Sequence, residues 1–145
     1  HYGRQSLNLA REWGDFIVRR SDGIYAYQLA VVIDDALMGV TEVIRGRDLL
    51  SSSAPQLYLY RLLDFKPPQF GHLPLLTAPD GRRLAKRDMD LDMGALRSRY
   101  TPEEVIGRLA FLAGLIDKEE SVKASELLPL FDWKKIPKEN ITVTN

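Results

Sequence analysis

Two adjacent stretches decide the fold of this chain: GIYAYQLAVVIDD at residues 23–35 and GVTEVIRGRD at residues 39–48. Residues 40–44 alternate short and β-branched side chains and lead to Gly46, which predicts a strand whose C-terminal end opens onto a loop. Arg45 is then expected at the strand end. On the other side, residues 15–20 predict a strand that enters a tight turn at Asp22-Gly23, because glycine readily takes a positive φ.

The segments that follow predict alternating helices and strands. Ser53 and Gln56 fit a reciprocal capping box, which predicts a helix that ends before Pro67. Residues 71–77 predict a short buried strand, and Asp80-Gly81 predicts a turn.

The last third of the chain predicts helices. Thr101 and Glu104 form a second capping-box pattern, with Pro102 in the first turn and apolar residues at helical spacing after it. A shorter helix is predicted at residues 124–130. The expected fold is therefore α/β: residues 1–99 as the second half of a doubly wound, Rossmann-type nucleotide-binding domain, and residues 100–145 as a small helical C-terminal region.

Composition excludes several classes of protein. The 145 residues include 20 basic and 20 acidic side chains, so the net charge of zero does not indicate a polyanion-binding protein. With no cysteine and with His1 and His72 as the two histidines, neither a thiolate nor a histidine metal site is expected. No apolar run is long enough to cross a membrane and no signal-peptide pattern is present, so a soluble cytoplasmic protein is expected. His1 is no translation start, and we expect the chain to be the C-terminal part of a longer one.

A third motif, GRRLAKR at residues 81–87, resembles the mobile lysine loop (KMSKS) of class I aminoacyl-tRNA synthetases. Together with residues 23–48 it identifies the chain as similar to glutamyl-tRNA synthetases over almost its whole length. The sequences AYQLA at 26–30 and GRDL at 46–49 most resemble their shortened paralogues, the glutamyl-queuosine tRNA(Asp) synthetases. The resemblance implies an ATP-dependent ligase that activates L-glutamate as an adenylate and transfers it to queuosine in the anticodon of tRNA(Asp).

The resemblance also implies site residues. Tyr27 and Arg45 match the residues that contact glutamate, and a guanidinium can hold a carboxylate with two parallel bonds. Lys86 matches the second lysine of the loop and is the expected catalytic residue, because it would stabilise charge on the ATP phosphates. Losing such a donor costs on the order of a hundredfold to a thousandfold in rate. The full ATP loop is Arg83, Leu84, Ala85, Lys86 and Arg87, in which Arg83 replaces the first lysine and Ala85 replaces the serine.

The implied partners are L-glutamate, ATP with Mg²⁺, and tRNA, with no membrane, no zinc site in this part of the chain, and a monomer as the complete enzyme. In the family, the His-Ile-Gly-His-type motif and the zinc-binding cysteines lie upstream of the matched region. The 145-residue chain alone is therefore expected to show no glutamate-dependent ATP/pyrophosphate exchange.

Other interpretations stay open. Without the resemblance, Tyr27 would be an ordinary half-buried aromatic residue, Arg45 a surface ion pair and the basic loop a solvated turn. Two rival functions also remain: a piece of a glutamyl-tRNA synthetase that aminoacylates tRNA(Glu), and a non-catalytic paralogue that binds tRNA, for which Ala85 is weak support.

Overall fold

The computed structural model of the chain describes residues 2–84 and 93–143. It has mixed helix and strand content, as the predicted α/β class requires. The helices are α1 Tyr27–Leu37, α2 Ser53–Leu62, α3 Met93–Arg99, α4 Pro102–Leu112 and α5 Ala124–Leu127, and the strands are β1 Glu42–Gly46, β2 Gln69–Leu73, β3 Leu76–Thr77 and β4 Ile141–Thr142. They belong to two compact units, Tyr2–His72 and the part from Leu73 onward. The division predicted at residues 99 and 100 stays a prediction.

The first unit begins with the predicted turn. Gly23 has a φ of 88°, and the Arg20 amide donates to the Ile24 carbonyl across the turn at 2.8 Å. The strand predicted for residues 15–20 is reduced to one antiparallel bridge between Arg19 and Tyr25. Instead of a long return strand, the chain enters α1 at residue 27, so Tyr27 lies in the first turn of a helix.

The core of this unit lies between α1 and α2. Val32 of α1 and Leu59 and Tyr60 of α2 are its buried members, and partly buried aromatic and aliphatic side chains such as Phe16 and Phe70 pack against them. Strands β1 and β2 pair with each other, with α2 in the connection between them. This arrangement places Arg45, near the C-terminal end of β1, beside both α2 and β2.

Helix α2 starts one residue earlier than the predicted capping box implies, and it does not use that capping box. Its N-cap is Ser52, which makes no side-chain cap bond. The side chains of Ser53 and Gln56 point instead to Arg45. The capping-box interpretation of this segment was therefore wrong.

In the second unit, β3 and β4 pair in parallel, with Leu76 opposite Ile141. The single strand predicted for residues 71–77 is two strands, β2 and β3, with Pro74 between them; proline has no amide hydrogen to donate to a ladder. The sequence predicts a helical region at residues 100–145. Because β4 lies within that range, the region is not all-helical.

Helix α4 matches its prediction closely. Glu104 N donates to Thr101 Oγ1 at 3.3 Å and Thr101 N donates to Glu104 Oε2 at 2.7 Å, which completes the capping box. Gly107 is buried in this helix, and a β-carbon there would lie 1.7 Å from the carbonyl oxygen of Glu120. Glycine is thus required for the segment around Glu120 to pack on α4. The predicted helix at 124–130 is α5 followed by a 3₁₀ turn.

Candidate functional site

Arg45 is the centre of a polar cluster in the first unit. Its guanidinium donates four hydrogen bonds: from Nε to His72 Nε2 at 3.2 Å, from Nη1 to Gln56 Oε1 at 2.8 Å, and from Nη2 to Ser53 Oγ at 2.8 Å and to the Leu49 carbonyl at 3.2 Å. The guanidinium carbon also lies 4.7 Å from the centre of the Phe70 ring. Arg45 is therefore held in one place by four acceptors and an aromatic face.

The number of donors limits what else Arg45 can bind. A guanidinium has five N–H groups. Taken as one N–H for each of the four bonds above, 5 − 4 leaves one N–H, on Nη1. This N–H and the positive charge can bind a further acceptor. Two parallel bonds to a carboxylate, as expected from the sequence, would require one of the four existing hydrogen bonds to break.

The electrostatic setting of Arg45 is unusual for a partly buried cation. Burial lowers the pKa of the guanidinium, and the nearby Tyr27, Asp35 and Asp48 raise it in part. Every hydrogen-bond acceptor of Arg45 is uncharged, and within residues 2–84 and 93–143 no carboxylate forms a salt bridge with it. A partly desolvated charge to which no described carboxylate is directly bonded favours binding of an anion.

Tyr27 lies beside this cation. It is 54% exposed, and it is near enough to raise the pKa of the Arg45 guanidinium. The structure thus brings together the two residues that the sequence predicts to contact glutamate, one on the first turn of α1 and the other on β1. Their role in binding glutamate stays a prediction.

Sequence reasoning missed the residues that hold Arg45. Gln56 is 1% exposed; while its Oε1 accepts from Arg45, its Nε2 donates to Gln28 Oε1 at 2.8 Å. Gln28 follows Tyr27 directly, so the amide pair connects both predicted glutamate contacts. The pattern Ser53-x-x-Gln56 contains two residues that hold Arg45, but the same pattern also predicts a helix cap.

His72 is the third residue that was missed. It is 4% exposed, and its Nε2 accepts from Arg45, which fixes the neutral ring with its proton on Nδ1. Burial lowers the pKa of His72, and the charge of Arg45 lowers it further. His72 is thus a neutral acceptor at physiological pH.

The basic loop is described only at its start. Arg83 forms an antiparallel bridge with Thr77, and Leu84 N donates to the Leu76 carbonyl at 3.1 Å. Leu84 also lines a cavity of about 670 Å³ in the second unit, together with side chains of α4 such as Val105 and Leu109. The predicted residues Ala85, Lys86 and Arg87 lie outside the described residues.

In residues 2–84 and 93–143, no group of three or more histidine, cysteine, aspartate or glutamate side chains is placed to hold a metal ion. Across the same ranges, none of the helices combines the length and the apolar character that crossing a membrane requires.

Comparison with known proteins shows the family to which the chain belongs. The sequence profile of the family described as "tRNA synthetases class I (E and Q), catalytic domain" matches residues 4–144. A glutamyl-Q tRNA(Asp) synthetase of Symbiobacterium thermophilum is 54% identical over 131 residues, which are 90% of this chain and 41% of that protein. One of Deinococcus radiodurans is 48% identical over 127 residues, 85% of this chain and 43% of that protein.

Solved structures show the same relationship. The chain superposes on a glutamate tRNA ligase of Elizabethkingia meningosepticum, solved in complex with its amino acid, with a TM-score of 0.70, 31% identity, and coverage of 88% of this chain and 29% of that one. The glutamate-tRNA synthetase of Elizabethkingia anophelis gives the same TM-score and identity, with 30% of that chain covered. The chain spans about two fifths of the length of the two glutamyl-Q tRNA(Asp) synthetases named above, 41% and 43%. From the profile match over residues 4–144, the chain belongs to the class I tRNA synthetases of the glutamate and glutamine group.

Proposed function

We propose that the complete gene product carrying this chain activates L-glutamate with ATP and transfers it to queuosine in the anticodon of tRNA(Asp). The observation that carries the proposal is the guanidinium of Arg45, which is surrounded by uncharged acceptors and lies near the exposed Tyr27. A cation and a phenol in this arrangement fit a carboxylate-bearing amino acid. The names of the similar proteins support glutamate and tRNA(Asp) as substrates.

In the proposed reaction the α-carboxylate of glutamate attacks the α-phosphate of ATP, pyrophosphate leaves, and glutamyl adenylate forms. A hydroxyl of the queuosine base then attacks the acyl carbon, and AMP leaves. Arg45 and Tyr27 bind and orient glutamate, each through the group described above. The role of Lys86, by resemblance, is to stabilise charge on the phosphates during the first step. Mg²⁺ would accompany ATP, and we assign it no ligand among the described residues.

The first experiment is glutamate-dependent ATP/pyrophosphate exchange by the complete gene product, with and without tRNA. The family resemblance implies that aminoacylating glutamyl-tRNA synthetases need cognate tRNA for this exchange, whereas the shortened paralogues do not. Exchange without tRNA, followed by transfer of labelled glutamate to queuosine-containing but not queuosine-free tRNA(Asp), supports the proposal. Exchange only with tRNA(Glu) would instead identify an aminoacylating enzyme, which the likeness to two glutamate-tRNA ligases favours as the second candidate.

A substitution tests the site itself. Arg45→Gln removes the charge while keeping a polar side chain, and we expect KM for glutamate to rise about a hundredfold, since truncating one partner of a buried charge pair costs about 2–5 kcal/mol. KM for ATP should change little. Arg61→Gln, the same change on an exposed arginine in the last turn of α2, is the control. A normal KM for glutamate in the Arg45 variant would remove Arg45 from the binding site.

A further inference from the structure

Gln56 occupies a central position in the cluster. It is buried between Arg45 and Gln28, and its amide has one orientation there, because the oxygen faces the donor Nη1 and the nitrogen faces the acceptor Gln28 Oε1. Both bonds are 2.8 Å long. Neither side chain could be rotated without breaking a bond in the interior.

The chemistry of the acceptor matters as much as its position. Glutamate would fit the same volume and could accept the same bond from Nη1 at 2.8 Å. A carboxylate at that distance would form a charge-assisted bond and neutralise Arg45 from inside the protein. Ser53, the Leu49 carbonyl and His72 share the property of Gln56: they hold the guanidinium without cancelling its charge.

We propose that Gln56 is a positioning residue that fixes Arg45 through a neutral amide and thereby keeps the arginine charge available to the carboxylate of the amino acid substrate. The inference rests on the proposed function and extends it. Gln56 does not touch the substrate; it acts through Arg45, and through Gln28 it ties Arg45 to the first turn of α1, which carries Tyr27.

The test is Gln56→Glu in the complete gene product, assayed by glutamate-dependent ATP/pyrophosphate exchange. The Gln28 amide can turn to donate to the new carboxylate, so the fold should be kept. We expect KM for glutamate to rise at least about tenfold, which is the change in an equilibrium constant that corresponds to one pKa unit. The values of kcat and of KM for ATP should change less than about threefold. The preference for glutamate over glutamine in kcat/KM should fall by a similar factor, a change that a merely structural role would not produce.

Two further variants complete the experiment. Gln5→Glu makes the same chemical change on an exposed side chain near the N-terminus and should leave KM for glutamate unaltered. Ser53→Asp places a carboxylate beside Nη2 instead of Nη1 and should reproduce the effect of Gln56→Glu.

The outcomes separate the inference from the function. If the unmodified protein shows no glutamate-dependent exchange, the proposed function fails and the inference fails with it. If it does exchange, and both Gln56→Glu and Ser53→Asp retain KM and glutamate preference, the inference alone is overturned. A rise in KM for either carboxylate variant, absent in Gln5→Glu, supports it.

Discussion

Helices α2 and α4 begin with the same kind of sequence pattern and use it differently. At α4, the side chains of Thr101 and Glu104 bond to each other's backbone amides and satisfy the helix end. At α2, the side chains of Ser53 and Gln56 both accept a bond from Arg45 at 2.8 Å. The pair at α4 therefore stabilises its own helix, and the pair at α2 holds an arginine of strand β1.

Magnitudes explain which use wins. A capping side chain contributes about 1 kcal/mol to stability. A hydrogen bond to a charged group contributes about 1.5–3 kcal/mol, and a partly buried guanidinium left without acceptors would be costly. Near Arg45, the tertiary contact therefore outweighs the local one, whereas Thr101 and Glu104 bond to each other. At α2, the side chains that could cap the helix instead hold the guanidinium of Arg45.

The largest expected effect that sharpens this contrast follows Gln56→Leu. The change leaves an N–H of Arg45 and the oxygen of Gln28 without their partners, so we expect the free energy of unfolding to fall by about 2–4 kcal/mol. Urea unfolding of the complete gene product, followed by circular dichroism, measures it. Gln5→Leu on the exposed N-terminal segment is the control. A loss no greater than that of the control would mean that the amide contributes nothing to holding the cluster.

A smaller effect is expected at the other helix. Thr101→Ala removes the cap of α4 and should lower the free energy of unfolding by about 1 kcal/mol. Glutamate-dependent exchange should stay unchanged, because the bonds of the Thr101 side chain to described residues all go to Glu104. Thr101→Ser, which keeps the hydroxyl, should restore most of the stability. If Thr101→Ala raised KM for glutamate, the separation between a structural and a functional helix start would break down.

The smallest effect is a difference in pH dependence. Burial holds the pKa of folded His72 below its ordinary value of 6.5, so the unfolded chain takes up the proton first and stability falls as pH drops below 6.5 toward the lowered value. Bonds from Thr101 hold the pKa of Glu104 below its ordinary value of 4.5, so the stability it contributes is complete above 4.5 and is lost as pH falls through the lowered value.

Unfolding measured across pH should therefore show the cluster weakening first and the α4 cap weakening only in more acid solution. His72→Gln should abolish the loss that begins below 6.5, and Glu104→Gln should abolish the more acid one. A single loss below 4.5 that His72→Gln leaves unchanged would contradict the neutral, buried state of His72.

Local signals predicted the parts of the fold that local interactions decide. The capping box at Thr101 gave the start of α4, and Asp80-Gly81 gave a turn, in which Gly81 has a φ of 80°. Helix α1 was not predicted, although Leu29, Val32 and Ala36 have helical spacing and all face the core. Strand β4 could not be found in sequence, because two residues pair with a strand far away in the chain.

The candidate site likewise contains residues that the sequence predicted and residues that it did not. Tyr27 and Arg45 were predicted from a family resemblance, and the structure places them side by side. The residues that hold Arg45 come from α2 and β2, and only tertiary packing brings Ser53, Gln56 and His72 together. Nothing in the local sequence distinguishes a glutamine that caps a helix from one that turns away to bind an arginine.

The four bonds and the aromatic face that hold Arg45 also have an entropic consequence. A free arginine side chain has about 2 kcal/mol of rotamer entropy to lose when it becomes fixed. In this protein that loss occurs during folding, so the carboxylate that we propose as its ligand would meet a guanidinium that is already immobile. Under this proposal, part of the affinity for the carboxylate is gained at the expense of the stability of the fold.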